Sequence, residues 1–406
     1  MPIPTPTPGR PMPSTDMNRT CAPVLDFLTR NEHRMFSLLR EMVLIQTGSF
    51  NKRGIDSLVA LIMRSMEGGC IRFRRIHQVE RGDHLIALSP PASLDHARGI
   101  LITGHTDTVF PEDTPFDWYR EDELHAYGPG VIDMKGGLVC GIFALKALDQ
   151  AGLLNELPVR FIFNSDEEIG SPSSGGVIAE LAQKSAYALV LECGGLDGGV
   201  VTGRKGKLGL RVDVEGEAGH AAFAGLRKPS AILELAHKTI ALEELNESSG
   251  DITLNVGGIE GGIGPNTVPR HACARVDIRY VSPLQRRRIL ERVERIVQET
   301  SVPGTTGNLW IESERPPMPR SESSRRLFQI ARSAGASLGI DLCEEFRSGV
   351  SDANLIASLG TPVLDGLGPI GALDHSDKEY MIKTSLLERA KLLALILVQI
   401  SKHPNP

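Results

Sequence analysis

Gly99-Ile-Leu-Ile-Thr103 is an unbroken apolar run that passes directly into Gly104-His105-Thr106-Asp107-Thr108. A short apolar run closed by glycine and a polar turn reads as a buried strand that delivers side chains at its carboxyl end. The pattern recurs downstream: Val159-Arg-Phe-Ile-Phe163 leads into Asn164-Ser165-Asp166-Glu167-Glu168-Ile-Gly170, and Tyr187-Ala-Leu-Val-Leu191 leads into Glu192. Helical stretches separate these runs, Gly136 to Ala151 stopped by Gly152, and Val177 to Ser185. Strand and helix in alternation imply an α/β fold with a doubly wound, mostly parallel sheet.

On the N-terminal side, apolar residues at helical spacing predict one helix over Leu25 to Ile45 and another over Ile55 to Met66, halted by Gly68 and Gly69. On the C-terminal side the pattern changes near residue 206. Leu208 to Val214 alternates, Pro229 to Leu245 is helical, Ile252 to Val256 and Cys273 to Tyr280 are strand-like, Pro283 to Gln298 is helical, and Asn308 to Glu312 closes with a strand. That order is the split βαβ arrangement of a ferredoxin-like α+β domain. From Ser323 helix and strand alternate again: a helix over 323–338, a strand near 343, a helix from Asp352, and a strand at Pro362 to Leu364. The expectation is a proline-rich leader over 1–20, a larger domain formed by 21–205 and 317–406, and a smaller domain over 206–316 inserted between them.

Composition narrows the function. At roughly 150 residues per domain, 406 residues suit two or three domains. With 41% hydrophobic and 23% charged residues a sizeable core is available. Lys plus Arg number 44 against 50 Asp plus Glu, and aromatics are 5%, which argues against a nucleic-acid partner. The apolar run Leu392 to Val398 falls far short of the about 20 residues of a membrane span and reads as core. The leader carries prolines at 2, 4, 6, 8, 11 and 13 and no secretory pattern, so a cytoplasmic protein with a solvated tail is expected. The cysteines at 21, 70, 140, 193, 273 and 343 form no Cys-x-x-Cys pair and read as free thiols.

His105 and Asp107 lie two apart, so on an extended chain both face one way, and a carboxylate there can take the ring proton and free the other nitrogen for a metal. Tyr127-Gly-Pro-Gly130-Val-Ile-Asp133-Met-Lys135-Gly-Gly137 places one carboxylate in a glycine-rich turn before a helix. It fails the dinucleotide and phosphate-loop templates. An aspartate there is commonly a helix cap; the functional alternative is a carboxylate held rigidly enough to bridge two cations. Asp166, Glu167 and Glu168 crowd the end of an interior strand, which is costly unless cations neutralise them. With Glu192, and with His375 in Asp374-His375-Ser-Asp377, four strands each bring His or Glu to the crevice where open α/β sheets bind ligands. Such a donor set suits zinc, and cobalt or manganese also fit.

Taken together, Gly-His-Thr-Asp-Thr-Val, Gly-Pro-Gly-Val-Ile-Asp-Met-Lys-Gly-Gly and Asn-Ser-Asp-Glu-Glu-Ile-Gly-Ser resemble, in order, the zinc peptidase family of glutamate carboxypeptidase, aminoacylase, acetylornithine deacetylase and succinyl-diaminopimelate desuccinylase. The resemblance runs from about residue 25 to 400 and its wording lies nearest the glutamate carboxypeptidase branch. It implies a metallopeptidase that holds two zinc ions per chain and cleaves amide bonds to release a C-terminal or N-acylated amino acid. His105 and Glu192 would bind one ion, Glu168 and His375 the other, and Asp133 both. Asp107 would orient His105, and Glu167 would be the general base for the attacking water. The inserted domain would be a dimerisation lid, with His220 of Gly219-His220-Ala reaching the partner subunit's site to hydrogen-bond the oxyanion.

By the same resemblance Asn266 in Gly264-Pro-Asn-Thr267, Arg279 in Asp277-Ile-Arg-Tyr280, Arg315 before Pro316 and Pro317, and Gly349 in Arg347-Ser-Gly-Val-Ser-Asp352 would meet the substrate. That branch has a second cation between 194 and 201, where this chain has no lysine; Arg204 and Lys205 stand a few residues on. Deacylation of N-acyl amino acids or hydrolysis of small peptides are the alternatives on the same residues. A catalytically silent metal-binding dimer is the alternative of another class, and the presence of Glu167 speaks against it.

Overall fold

The computed structural model describes residues 15–93, 98–225 and 228–402. The chain forms two compact units, one of Met1–Val201, Ser321–Glu345 and Thr361–Pro406, the other of Thr202–Arg320 and Phe346–Gly360.

The larger unit opens with three helices, α1 (Thr15–Arg30), α2 (Glu32–Val43) and α3 (Lys52–Ser65). The single helix expected over 25–45 is broken at Asn31, whose φ of −104° and ψ of 10° leave the helical range and whose side-chain amide donates to the Phe27 carbonyl at 2.8 Å. The start of α1 at Thr15 makes the end of the expected leader helical; residues 1–14 lie outside the described residues.

Then come β1 (Arg72–Ile76), β2 (His84–Leu88), β3 (Gly99–His105), α4 (Gly136–Gln150), β4 (Val159–Asn164), α5 (Gly175–Gln183) and β5 (Ser185–Val190). The main sheet has the order β1-β2-β4-β3-β5 and ends on Val363–Leu364. β3 runs parallel to β4 and β5, and β5 parallel to Val363–Leu364, whereas β2 is antiparallel to both its neighbours. β3, β4 and β5 are buried along their whole length, which is why they read as continuous apolar runs. Helix α4 is apolar nearly all round and sits in the core with α1, α2 and the C-terminal helix Lys383–Ser401, which buries Leu392 to Val398. Gly137 in α4 is required by close packing: a Cβ there would stand 2.0 Å from the Leu191 carbonyl oxygen, next to Glu192. A small antiparallel sheet orders Gly371–Ala372, Tyr380–Ile382, His125–Tyr127 and Arg120–Glu121.

In the smaller unit β6 (Gly206–Glu215), α6 (Ala231–Glu243), β7 (Thr253–Gly261), β8 (His271–Tyr280), α7 (Pro283–Gln298) and β9 (Thr306–Arg315) form an antiparallel sheet of order β7-β8-β6-β9. Strict alternation along β6 sends Leu208, Leu210, Val212 and Val214 into a core shared with Leu235 of α6 and Ile289 and Val293 of α7. Ser230 and Ser282 cap the two helices by accepting N–H bonds from Leu233 and Gln285. This unit also takes in Phe346–Gly360, which the sequence pattern places with the larger one. The reason is polar: the Asn354 amide donates to the Lys205 and Pro316 carbonyls, and the Arg315 guanidinium donates to Asp352 at 3.2 Å. All six cysteines are free, and no helix among the described residues is long and apolar enough to cross a membrane.

Candidate metal centre

β3 and β4 end level, with His105 the register partner of Asn164, so the polar turns that follow leave the sheet side by side. Asp107 ties them together. Its Oδ1 accepts the Glu167 backbone N–H and its Oδ2 the Glu168 N–H, each at 3.2 Å, and Oδ2 also accepts the Ser49 hydroxyl at 2.7 Å. His105 Nδ1 lies 2.9 Å from the Asp107 carbonyl oxygen and 3.4 Å from its Oδ1. The sequence pattern assigns the ring proton to the carboxylate; the carbonyl is nearer because the carboxylate is engaged by the next strand's turn. Either acceptor leaves Nε2 facing inward, 3.1 Å from Asp133 Oδ1 and 3.5 Å from Glu192 Oε1.

Asp133 stands in a kinked turn, Val131–Lys135, that enters α4. Its other oxygen, Oδ2, is 3.0 Å from His375 Nε2, which is 3.7 Å from Glu168 Oε2. One central carboxylate thus has a histidine at each oxygen and a glutamate beside each histidine. A Glu167 oxygen groups with His105 and Glu192, and an Asp374 oxygen with Asp133 and His375, within 4.8 Å. His375 does not end a main-sheet strand as expected. It lies in the loop between Gly371–Ala372 and Tyr380–Ile382, with a left-handed φ of 62°. That loop follows the short strand Val363–Leu364, and the chain makes an extra antiparallel turn before delivering the side chain.

The electrostatics call for positive charge. Burial alone would lower the His105 pKa, yet Asp107, Asp133 and Glu192 hold it well above the ordinary histidine value. Burial would raise Asp133, but its two histidines hold it below the usual carboxylate range. Glu168 and Glu192 are pushed up, first by burial and then by the Asp133 charge. Glu168 Oε1 is buried and has no hydrogen-bond partner. Donors at 2.0–2.2 Å from a tetrahedral zinc stand roughly 3.3 Å apart, and the donor separations of 3.0–3.7 Å here match that spacing. An orphaned carboxylate oxygen, two imidazole nitrogens and a shared carboxylate fit divalent cations.

Sequence reasoning misses three groups that hold this arrangement. Ser49 precedes α3 and carries no local signal of its contact with Asp107. Lys135, the last residue of the Asp133 turn, is buried, donating to the Ile45 carbonyl at 3.0 Å with its Nζ 4.6 Å from the centre of the Phe116 ring; burial lowers its pKa to about 7. Glu379 is buried and accepts backbone N–H bonds from Gly130, Ile132 and Asp133. In sequence it is one acidic residue among Asp374, Asp377 and Glu379.

The five residues expected to meet substrate all lie in the smaller unit, in two groups. His220 pairs with Thr267 in a two-stranded ladder, and the Ala221 N–H donates to the Asn266 carbonyl at 2.9 Å, so exposed His220 and Asn266 are neighbours. Arg279 donates to Asp277 at 2.6 Å and to the Ser348 carbonyl at 3.3 Å, while the neighbouring Gly349 carbonyl accepts from Arg204 at 3.0 Å. Arg315 is buried in its pair with Asp352.

A model of peptidase family M20/M25/M40 matches residues 101–399. The chain is 26% identical over 381 residues to carboxypeptidase G2 of Pseudomonas sp. (strain RS-16), covering 91% of this chain and 90% of that one. It is 27% identical over 310 residues to succinyl-diaminopimelate desuccinylase of Pseudomonas syringae pv. syringae, 71% of this chain and 79% of that one. In fold it resembles the M20 family metallo-carboxypeptidase Sso-CP2 of Sulfolobus solfataricus, with a TM-score of 0.71 at 18% identity over 91% of this chain and 99% of that chain. The chain belongs to peptidase family M20/M25/M40, and it is a metal-dependent hydrolase of amide bonds.

Proposed function

We propose that this protein is a dinuclear zinc hydrolase that cleaves an amide bond to release a C-terminal or N-acylated amino acid, in the manner of a glutamate carboxypeptidase. The observation that carries this reading is the Asp133 carboxylate, with one histidine at each oxygen, 3.1 and 3.0 Å away. His105 and Glu192 would hold one ion and His375 and Glu168 the other, with Asp133 shared between them. Zinc is the native ion, with cobalt or manganese able to substitute. When bound, the cations supply Lewis acidity and lower the pKa of a water.

The chain's own residues do the rest. Glu167 takes a proton from the water as its oxygen bonds to the amide carbon, then gives that proton to the departing nitrogen as the C–N bond breaks. Asp107 fixes the backbone of Glu167 and Glu168 and so sets the base against the site. Arg279, 25% exposed at its side chain, suits a substrate carboxylate. Gly349 offers backbone beside it, and Arg315 supports that loop through Asp352.

His220 and Asn266 serve the partner subunit's site in a homodimer. Lys207 is the register partner of Arg279 at one end of β6, and Glu215 that of His271 at the other, with His220 beyond it. Eight residues at about 3.3 Å each separate the two groups by roughly 26 Å, too far for one small substrate to touch both in one chain. His220 then hydrogen-bonds the oxyanion across the interface.

A second reading, deacylation of N-acyl amino acids on the same residues, draws on the similarity to the desuccinylase. Amine release from folyl glutamate, N-acyl amino acids and dipeptides, by protein stripped of metal and then restored with zinc or cobalt, separates the two. Cleavage of folyl glutamate or peptides with a C-terminal acidic residue supports the carboxypeptidase reading. Cleavage confined to short-chain N-acyl amino acids replaces it with the deacylase, and no metal-restored cleavage of any of them overturns both.

A further inference from the structure

The turn that presents Asp133 has no strand or regular helix to hold it. Its N-terminal side, Gly130, adopts a left-handed φ of 72°, and Val131–Lys135 is kinked before α4 begins. Three of its backbone N–H groups converge on one side chain from a distant part of the sequence. Glu379 Oε2 accepts from Gly130 at 2.8 Å, and Oε1 accepts from Ile132 at 2.8 Å and from Asp133 itself at 3.1 Å. Glu379 is 1% exposed, so these bonds are made away from competing water.

Glu379 lies four residues after His375. The intervening loop is braced on itself: the Ser376 hydroxyl donates to the Leu373 carbonyl at 2.6 Å, and the Glu379 N–H donates to the Ser376 carbonyl at 3.3 Å. Leu373 and His375 both hold positive φ, 63° and 62°, a conformation that persists only where its surroundings over-determine it. The carboxylate therefore joins the two loops that carry Asp133 and His375, and it does so through the main chain of Asp133, leaving both Asp133 oxygens to face the histidines.

We propose that Glu379 is a positioning residue of the metal centre: by clamping the Gly130–Asp133 turn to the His375 loop, it sets the separation of Asp133 from His375 and hence the spacing of the two cation positions. This inference rests on the dinuclear reading above. Its consequence is specific. Removing the clamp lowers affinity for the ions in a chain that still folds, and alters their ligand geometry, whereas a residue serving only to satisfy the buried turn would lower stability alone.

The test is a titration of metal-stripped wild type, E379Q and E379D with zinc, followed calorimetrically, with the visible spectrum of the cobalt-loaded forms and the melting temperature of the metal-free forms. Gln keeps the shape but turns one acceptor into a donor facing an N–H; Asp keeps the charge on a shorter arm and covers the case in which the Gln chain does not fold. Wild type is expected to bind two zinc ions, and the folded variants to bind with about 10- to 100-fold lower affinity for at least one ion, with an altered cobalt spectrum. Two ions held at wild-type affinity with an unchanged cobalt spectrum by a folded variant, whatever its melting temperature, overturn the inference alone. Fewer than two ions on wild type overturn the dinuclear reading and the inference with it.

Discussion

At the residue scale the proposed function gives two adjacent glutamates different roles, Glu168 to hold a cation and Glu167 to move a proton. Glu168 stands beside His375, while Glu167, one residue earlier, groups with His105 and Glu192. Replacing Glu167 with Ala is therefore expected to leave two metal ions bound while cutting kcat by roughly 10²–10⁴; metal content and turnover measured on one preparation check it, and an active variant would remove Glu167 as the base. Asp107 acts differently, since it binds two backbone N–H groups and the Ser49 hydroxyl and lies against His105. Asp107→Asn is expected to weaken zinc binding by about 10- to 100-fold, read by competition with a chelator. His105, Asp107, Glu167, Glu168 and Glu192 are legible in the sequence because each ends or follows an apolar strand, and Asp133 because it sits in a glycine-rich turn. Ser49 and Glu379 are not, because a hydrogen bond to a partner tens or hundreds of residues away leaves no local pattern.

At the element scale, β3, β4 and β5 are readable because strands buried on both faces must be continuously apolar. The β1–β2 hairpin is not: Arg72-Phe-Arg-Arg-Ile76 lies at the sheet edge with charged side chains in water, so no apolar periodicity marks it. What secures that edge is Asp83, a buried carboxylate just before β2 that bonds to Lys52 at 2.9 Å, Arg75 at 2.7 Å and His77 at 2.8 Å. Burial alone would raise its pKa, but the Gln78 N–H and then hydrogen bonds from the Lys52, Arg75 and His77 side chains hold it below the usual carboxylate range. The sign follows: a depressed carboxyl contributes stability above its unfolded pKa of about 3.9, and that stability is lost as pH falls through the folded value. Asp83→Asn is expected to cost about 2 kcal/mol at neutral pH, with the gap to wild type narrowing as the pH drops below about 4. Urea unfolding at several pH values measures this, and a gap independent of pH would assign the loss to packing instead of charge.

At the scale of the whole molecule, two units carry different halves of the expected chemistry: the candidate ligands and base all belong to the larger, and the candidate substrate contacts all to the smaller. The inserted unit is legible from its order of strands and helices, whereas Phe346–Gly360 joins it through hydrogen bonds that no periodicity reveals. If His220 serves the partner's site, mixing inactive Glu167→Ala and His220→Ala chains under conditions of subunit exchange restores activity, because one site of each mixed dimer keeps both residues; no recovery would place His220 within its own chain's chemistry or outside it altogether. The central claim, that Asp133 is shared by two cations, is tested most directly by anomalous diffraction from zinc-loaded crystals. The account predicts two peaks per chain, one contacting His105 and Glu192, the other His375 and Glu168, with an Asp133 oxygen on each. A single peak, or two peaks of which only one touches Asp133, would contradict it.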